Sequence, residues 1–293
     1  MTTTEFRLGS PAGLVCIALM AFYAACMLVA AVRPELATAI YFFLIGSLTL
    51  FGLIHGSFRY GAVNMLVFMA LMLASVIGFE AISIRTGVPF GNFHHTAAMG
   101  PQVLSVPWLA GFAYFSAGYV AWTLANLLLG EPDRHAGILP KVALAVTAAF
   151  FVTAWDACID PIGGTVARAW VWEDGGGYFG VPLSNFVGWL ITSYVAFQVF
   201  ALLTGKNSGS ASTAVQSSAW WALPAIQFLV MGLQYPLNLV MLPDVEVIDP
   251  AGVAWRTGHI FEGTTVVALF TVILISLTAL FRIGIHSPGD SSR

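Results

Sequence analysis

Charge is what this chain has least of: 9% of its 293 residues are Asp, Glu, Lys or Arg, against about a quarter in an average soluble domain. Lysine occurs twice, as Lys141 at a helix start and Lys206 in a polar linker, so neither is placed for a retinal Schiff base within a helix. A net charge of −3 without a basic cluster argues against a nucleic-acid partner. Cysteine is scarce too. Cys16, Cys26 and Cys158 lie in apolar runs, and the first two are about 15 Å apart along one helix, too far to bridge, so no disulfide framework is indicated. The six histidines, at 55, 94, 95, 135, 259 and 286, form none of the HxxxH or HxxHH boxes of membrane di-iron hydroxylases and ketolases. Adjacent His94 and His95 point apart on a helix and to opposite faces of a strand, which favours interface hydrogen bonding over a metal. The single pair His259 and Glu262, three residues apart, falls short of a di-iron set. No metal is expected.

Apolar residues are abundant, at 58%, with a mean hydropathy of +0.86. Runs long enough to span a bilayer, about 20 residues each, lie near 11 to 32, 36 to 54, 61 to 84, 104 to 129, 138 to 157, 183 to 204, 217 to 241 and 259 to 282. They predict an all-α, polytopic membrane helix bundle of about eight transmembrane helices, seven being the alternative count, within a single integral membrane domain over 1–293. The first run is too long for a signal-peptide core and shows no convincing cleavage site, so it is expected to stay as a helix. With eight spans, Arg7, Arg59, Arg134, Lys141, Lys206, Arg282 and Arg293 fall on one face and Arg33, Arg85, Arg168 and Arg256 on the other. Seven against four predicts a multi-pass protein of the cell membrane with both termini cytoplasmic. Ten of the 14 acids lie at or toward the opposite face, where the chemistry is therefore expected.

The stretch AWDACIDPIGGTVARAWVWEDGGGYFGVPLSNFVGW, residues 154 to 189, breaks the apolar pattern. Asp156 and Asp160 are four residues apart and share a helical face. Pro161 is expected to end that helix, leaving Asp160 at the C-terminal, negative end of the dipole, where a carboxyl tends to keep its proton and becomes a candidate proton donor. Gly175, Gly177 and Gly180 satisfy GxGxxG formally, but no strand precedes them and Glu173 and Asp174 would repel a pyrophosphate. Upstream, Glu80 sits within the last turns of the third helix, and an ionisable group at membrane depth points to function, with an ion pair to Arg85 as the competing explanation. In the fourth helix Tyr114, Tyr119 and Trp122 are read as packing and belt residues. The first two helices read as lipid-facing scaffold. On the seventh, Gln227, Met231, Gln234 and Asn238 form one polar stripe facing the bundle, with Pro236 as a kink.

Two short echoes appear. GVPFGNF at 87–93 matches GVPLSNF at 180–186, each with a glutamate seven residues earlier (Glu80, Glu173), and Asp160, Pro161 and Gly163 match Asp249, Pro250 and Gly252. They suggest tandem helix-pair pseudo-repeats within 61–282.

Taken together, Glu80, TG and PFG at 86–91, Gly100-Pro101, Pro107, Ala154-Trp155-Asp156, Asp160-Pro161, Trp170, Trp172, Gly177-Tyr178, Gly180, Pro182-Leu183, Asn185 and Gly188-Trp189 resemble the carotenoid biosynthesis proteins that include the carotenoid 1,2-hydratases. The resemblance runs from about residue 59 to 262. It departs at Phe93 and His95, where the family tends to carry tyrosines, and so leaves the particular carotenoid open. It implies a cofactor-independent hydro-lyase that adds water to the terminal double bond of an acyclic carotenoid such as lycopene, working among membrane lipids and in association with other enzymes of the same pathway.

Such a reaction protonates the less substituted alkene carbon and leaves a tertiary cation for water. A carotenoid is about as long as the hydrocarbon core is thick, ~30 Å, so its end would meet the acids at one interface. A carboxylate ~4 Å from the cation is worth ~4 kcal/mol at an effective dielectric of about 20, and an aromatic face ~0.5 to 2 kcal/mol. On this reading Asp160 is the proton donor, Asp156 or Glu80 the cation stabiliser and water base, and Asn185 a water-orienting group. Trp155, Trp170, Trp172, Tyr178, Phe90, His95, Gln234 and Glu262 complete the expected substrate contacts. The non-enzyme alternative is a proton-coupled transporter or conduit for a hydrophobic small molecule, since buried acids and broken helices also mark translocation paths.

Overall fold

A computed structural model describes residues 6–130, 137–207 and 217–285. The expectations placed on Glu5, Glu131, Asp133, Arg134, His135, His286, Asp290, Arg293 and the linker beyond Asn207 lie outside the described residues, as does the side chain of Lys206. Among the described residues, eight helices are long and apolar enough to cross a membrane. They are α1 (Pro11–Val32), α2 (Pro34–Tyr60, opening with a 3-10 turn), α3 (Ala62–Thr86), α4 (Trp108–Leu129), α5 (Ile138–Val166), α6 (Leu183–Thr204), α7 (Ser218–Met241) and α8 (Thr257–Ile285). The α6 helix itself runs on to Asn207.

The bundle is built around α4, the most buried of the eight. Its sequence explains why. Ala110, Gly111, Ala113, Ala117, Gly118, Ala121 and Ala125 are all buried and small, which lets neighbouring backbones approach closely where apolar lipid gives no hydrophobic drive to association. Gly111 faces Leu73 of α3, Gly118 faces Met72 and Phe197, and on α2 Gly52 and Gly56 face Tyr119. Tyr114, Tyr119 and Trp122 are interior packing residues and form no lipid-facing belt. Tyr119 bonds His55 at 2.5 Å, and Trp122 donates to Tyr60 at 3.1 Å. Nor is α2 plain scaffold: His55 is fully buried on it, stacked on Phe51 and Trp220. Nε2 of His55 meets the Trp220 carbonyl at 3.0 Å, which requires the proton on that nitrogen and leaves Nδ1 to accept from Tyr119.

At the end of the bundle where α1, α3, α5 and α7 finish, the loops carry short strands: β1 (Phe93–His95), β2 (Gln102–Val103), β3 (Val106–Pro107), β4 (Trp170–Trp172), β5 (Glu246–Ile248) and β6 (Ala254–Arg256). β1 pairs antiparallel with β4, setting His95 opposite Trp170 and Phe93 opposite Trp172. This ladder ties the loop after α3 to the loop after α5.

The echoes occupy different local structures. The first GVP segment is loop leading to β1, the second leads into α6, and they pack on each other, Ser184 donating to the Phe90 carbonyl at 2.9 Å. Glu80 is buried whereas Glu173 is exposed. Asp160 lies within a helix, while Asp249 closes a turn by accepting from Val253 N and Trp255 Nε1 at 2.9 and 2.8 Å.

Candidate active site

Pro161 does not end α5. The α-helix Ile138–Asp160 continues as a π-helical turn, Pro161–Val166, and Asp160 keeps helical angles, φ −64° and ψ −42°. The expectation that Asp160 sits at a helix C-terminus is therefore corrected, and its dipole argument falls with it. Proline disfavours a helical residue before it without forbidding one, and the wider turn absorbs the ring. The lost bond is replaced. Pro161 has no N–H for the Ala157 carbonyl four residues back, and Tyr178 Oη donates to that carbonyl at 3.1 Å. Further along, the Ala167 amide reaches back to Ile162 at 2.8 Å. π turns of this kind recur at functional sites.

The π turn also makes room for two indoles. Gly163 and Gly164 are buried on it, and a Cβ on Gly164 would lie 3.0 Å from Trp170 Nε1 and 3.1 Å from Trp172 Nε1, so the glycine pair is what lets both tryptophans lie against the helix. Neither indole N–H is in bonding geometry with an acceptor among the described residues.

Asp156 and Asp160 are 0% and 2% exposed. Both are held by one residue: the Asn185 amide nitrogen, in the first turn of α6, donates to Asp156 Oδ2 at 3.1 Å and also to Asp160 Oδ2. Asn185 thus clamps the two carboxyls together, using both of its N–H groups, and only its amide oxygen is left to orient water. Asp156 Oδ1 is buried without a partner among the described residues.

Glu80, one turn and a half from the end of α3, pairs with His95 and not with Arg85. Glu80 Oε2 and His95 Nε2 are 2.7 Å apart, and both side chains are nearly sealed from solvent. The neighbouring His94 turns outward to Glu173 at 2.5 Å, half-exposed. That divergence is what strand geometry demands of adjacent residues.

These groups border one cavity. About 50 Å³ of it is open to the centre of a water-sized sphere, room for a few waters or a branched hydrocarbon end, since one water needs about 10 to 15 Å³ on that measure. Asp160, Glu80, His95, Asn185, Trp155, Trp170, Trp172 and Phe90 all line it. Asp156 stands behind Asn185, outside the wall. Tyr178, Gln234 and Glu262 are not brought to it: Tyr178 caps α5, Gln234 is half-buried on α7, and Glu262 is exposed on α8.

The wall also includes Tyr41, which sequence reasoning passed over, and Tyr114, Trp189 and Phe93, which it named without assigning them to the site. Tyr114 and Trp189 stack with ring centroids 3.6 Å apart and an interplanar angle of 8°, and the Tyr114 hydroxyl is buried without a partner among the described residues. Glu80, Tyr114, Asp160 and Trp189 are each six residues, and Tyr41 seven, from the end of its span on this side. At 1.5 Å per residue, all sit at one level about 9 to 10 Å inside.

Comparison with known proteins places this geometry in context. A family model described as carotenoid biosynthesis protein matches residues 17–247. Bisanhydrobacterioruberin hydratase of Haloarcula japonica is 32% identical over 136 residues, a match covering 46% of this chain and 44% of that protein. The match therefore spans less than half of the relative's length. No solved structure matches the chain.

Proposed function

The chain belongs to the carotenoid biosynthesis protein family, and on that premise we propose that it is a hydratase, adding water to the terminal double bond of an acyclic carotenoid to give a tertiary alcohol. The observation that carries this reading is the pair of buried carboxyls, Asp156 and Asp160, clamped by one amide at the wall of a tryptophan-lined cavity at the end of the bundle. Two carboxyls so buried, with no cation bonded to either among the described residues, favour a state in which Asp160 keeps its proton, because each uncompensated buried charge costs several kcal/mol. A proton held there faces the cavity through Asp160.

Protonation is the difficult step for an unactivated trisubstituted alkene. Asp160 gives its proton to the less substituted carbon, and the tertiary cation that forms is met by the faces of Trp155, Trp170 and Trp172, each worth ~0.5 to 2 kcal/mol, and by the carboxylate left behind. Water then closes the reaction. Since the net change is addition of H and OH, no electron acceptor takes part. The apolar wall suits a hydrocarbon end, and the surrounding bilayer is where a carotenoid dissolves.

The test is expression in a bacterium that accumulates lycopene, with mass spectrometry for carotenoids that have gained one water and heavy-oxygen water to trace the hydroxyl. Hydrated products labelled from water support the proposal; unchanged carotenoids with folded protein in the membrane reject it.

A further inference from the structure

Capture of the cation needs a group that takes a proton from water, and that group has to stay apart from the acid, which is a carboxylate at that moment. Asp160 and Asp156 lie on α5 and are bound by Asn185 of α6. A different part of the wall, from α3 and β1, carries the Glu80 and His95 pair. For His95 to serve as a base, Glu80 is the carboxylate and His95 Nε2 carries the hydrogen that bridges the 2.7 Å contact, which leaves Nδ1 with a lone pair. Nδ1 is buried and bonded to nothing among the described residues, in a side chain that lines the cavity. The imidazole is held in place by the edge of Phe93, 5.3 Å between centroids, and by the ladder pairing with Trp170.

We infer that His95, oriented by Glu80, is the general base that activates water for capture, and that it decides between hydration and mere return of the proton. The inference rests on the hydratase reading above. In the step, a water lone pair forms the new C–O bond while one water O–H breaks and its proton goes to Nδ1. The positive imidazole is then neutralised in effect by the Glu80 carboxylate, the arrangement in which a buried acid steadies a histidine base. Passage of that proton through a cavity water to the Asp160 carboxylate restores both groups. Without the base, the cation has another exit: the Asp160 carboxylate removes a proton from the same carbon and the alkene re-forms. In heavy water this idle cycle places deuterium on that carbon without adding oxygen.

His95→Gln keeps a donor for Glu80 and an acceptor for water but cannot take up a proton; Glu80→Gln still accepts from Nε2 but offers no charge to a positive imidazole. Each variant and the parent enzyme, purified in detergent and confirmed monodisperse, is given lycopene in heavy water. Hydration in His95→Gln is expected to fall about 100-fold or more, the usual share of a general base, while deuterium accumulates in the recovered unhydrated carotenoid. Glu80→Gln is expected to shift the same ratio in the same direction. Asp160→Asn should lose both signals. Near-parental hydration in His95→Gln, or equal loss of hydration and deuterium in both base variants while folded, overturns the assignment. A parent enzyme that neither hydrates nor exchanges refutes the hydratase reading itself, and the assignment falls with it.

Discussion

Asp160→Asn separates chemistry from folding more cleanly than other changes at this site. The substitution is isosteric. Its amide oxygen can still accept from Asn185. The stability change is therefore limited to exchanging an acid's hydrogen bond for an amide's, about 1 kcal/mol. The chemical loss is larger. Removing a general acid costs ~10² to 10⁴ in rate, or about 2.7 to 5.4 kcal/mol at 1.36 kcal/mol per decade. Product per folded enzyme, with folding judged by elution in detergent, should fall by at least two decades while the elution profile stays that of the parent. Asp156→Asn should be less selective, because Asp156 is sealed away from the cavity and works through Asn185. Turnover by Asp160→Asn within a factor of a few of the parent would remove Asp160 as the acid and make Glu80 the remaining carboxyl on the cavity wall.

Three further outcomes are expected. Tyr178→Phe leaves the Ala157 carbonyl without its donor and should lower stability in detergent by about 1 to 3 kcal/mol with activity per folded enzyme kept; equal thermal midpoints would show that the π turn needs no cap. At the β5 and β6 hairpin, hydrogen bonds from Arg256 and then from the Gly258 amide hold the Asp244 carboxyl below the usual carboxylate range. That contribution is present at neutral pH and is lost as pH falls through the lowered folded value, so the protection of amides over residues 244–258, taken relative to their intrinsic exchange rate at each pH, should fall in acid, and Asp244→Asn should abolish that fall. Finally, a cysteine at exposed Glu246 should be labelled from outside intact cells and one at exposed Gly137 should not, if the excess of basic residues sets the orientation; the reverse pattern would invert the topology.

Two of the corrections made by the structure have a common cause. Local rules placed a helix end at Pro161, because the rule about proline speaks of the preceding residue and not of what else is near, and Tyr178 was expected among the aromatics beside the substrate. A tyrosine 21 residues on supplies the missing donor, and two glycines let a pair of tryptophans press against the turn. A sequence window contains all of these residues without showing that they meet. Glu80 and Arg85 were likewise close in sequence, yet a β ladder brought His95 to Glu80 instead.

The sequence by itself determined the spans, the single helical class and the end of the bundle where the acids gather, because a bilayer allows few alternatives: a run of about 20 apolar residues must close its own hydrogen bonds as a helix, and charged groups are driven to its ends. The eight spans follow the apolar runs closely, and Asp160, Asn185, Glu80, Trp155, Trp170 and Trp172 converge on one cavity. Which face of each helix turns inward was decided only by tertiary packing. When a helix is apolar all round, periodicity carries little directional signal, so it neither placed Tyr41, Tyr114 and Trp189 on the cavity wall nor kept Gln234 and Glu262 off it. Small residues on α4 set the close approaches, those approaches set the rotation of the neighbouring helices, and the rotation chose which polar groups face the cavity.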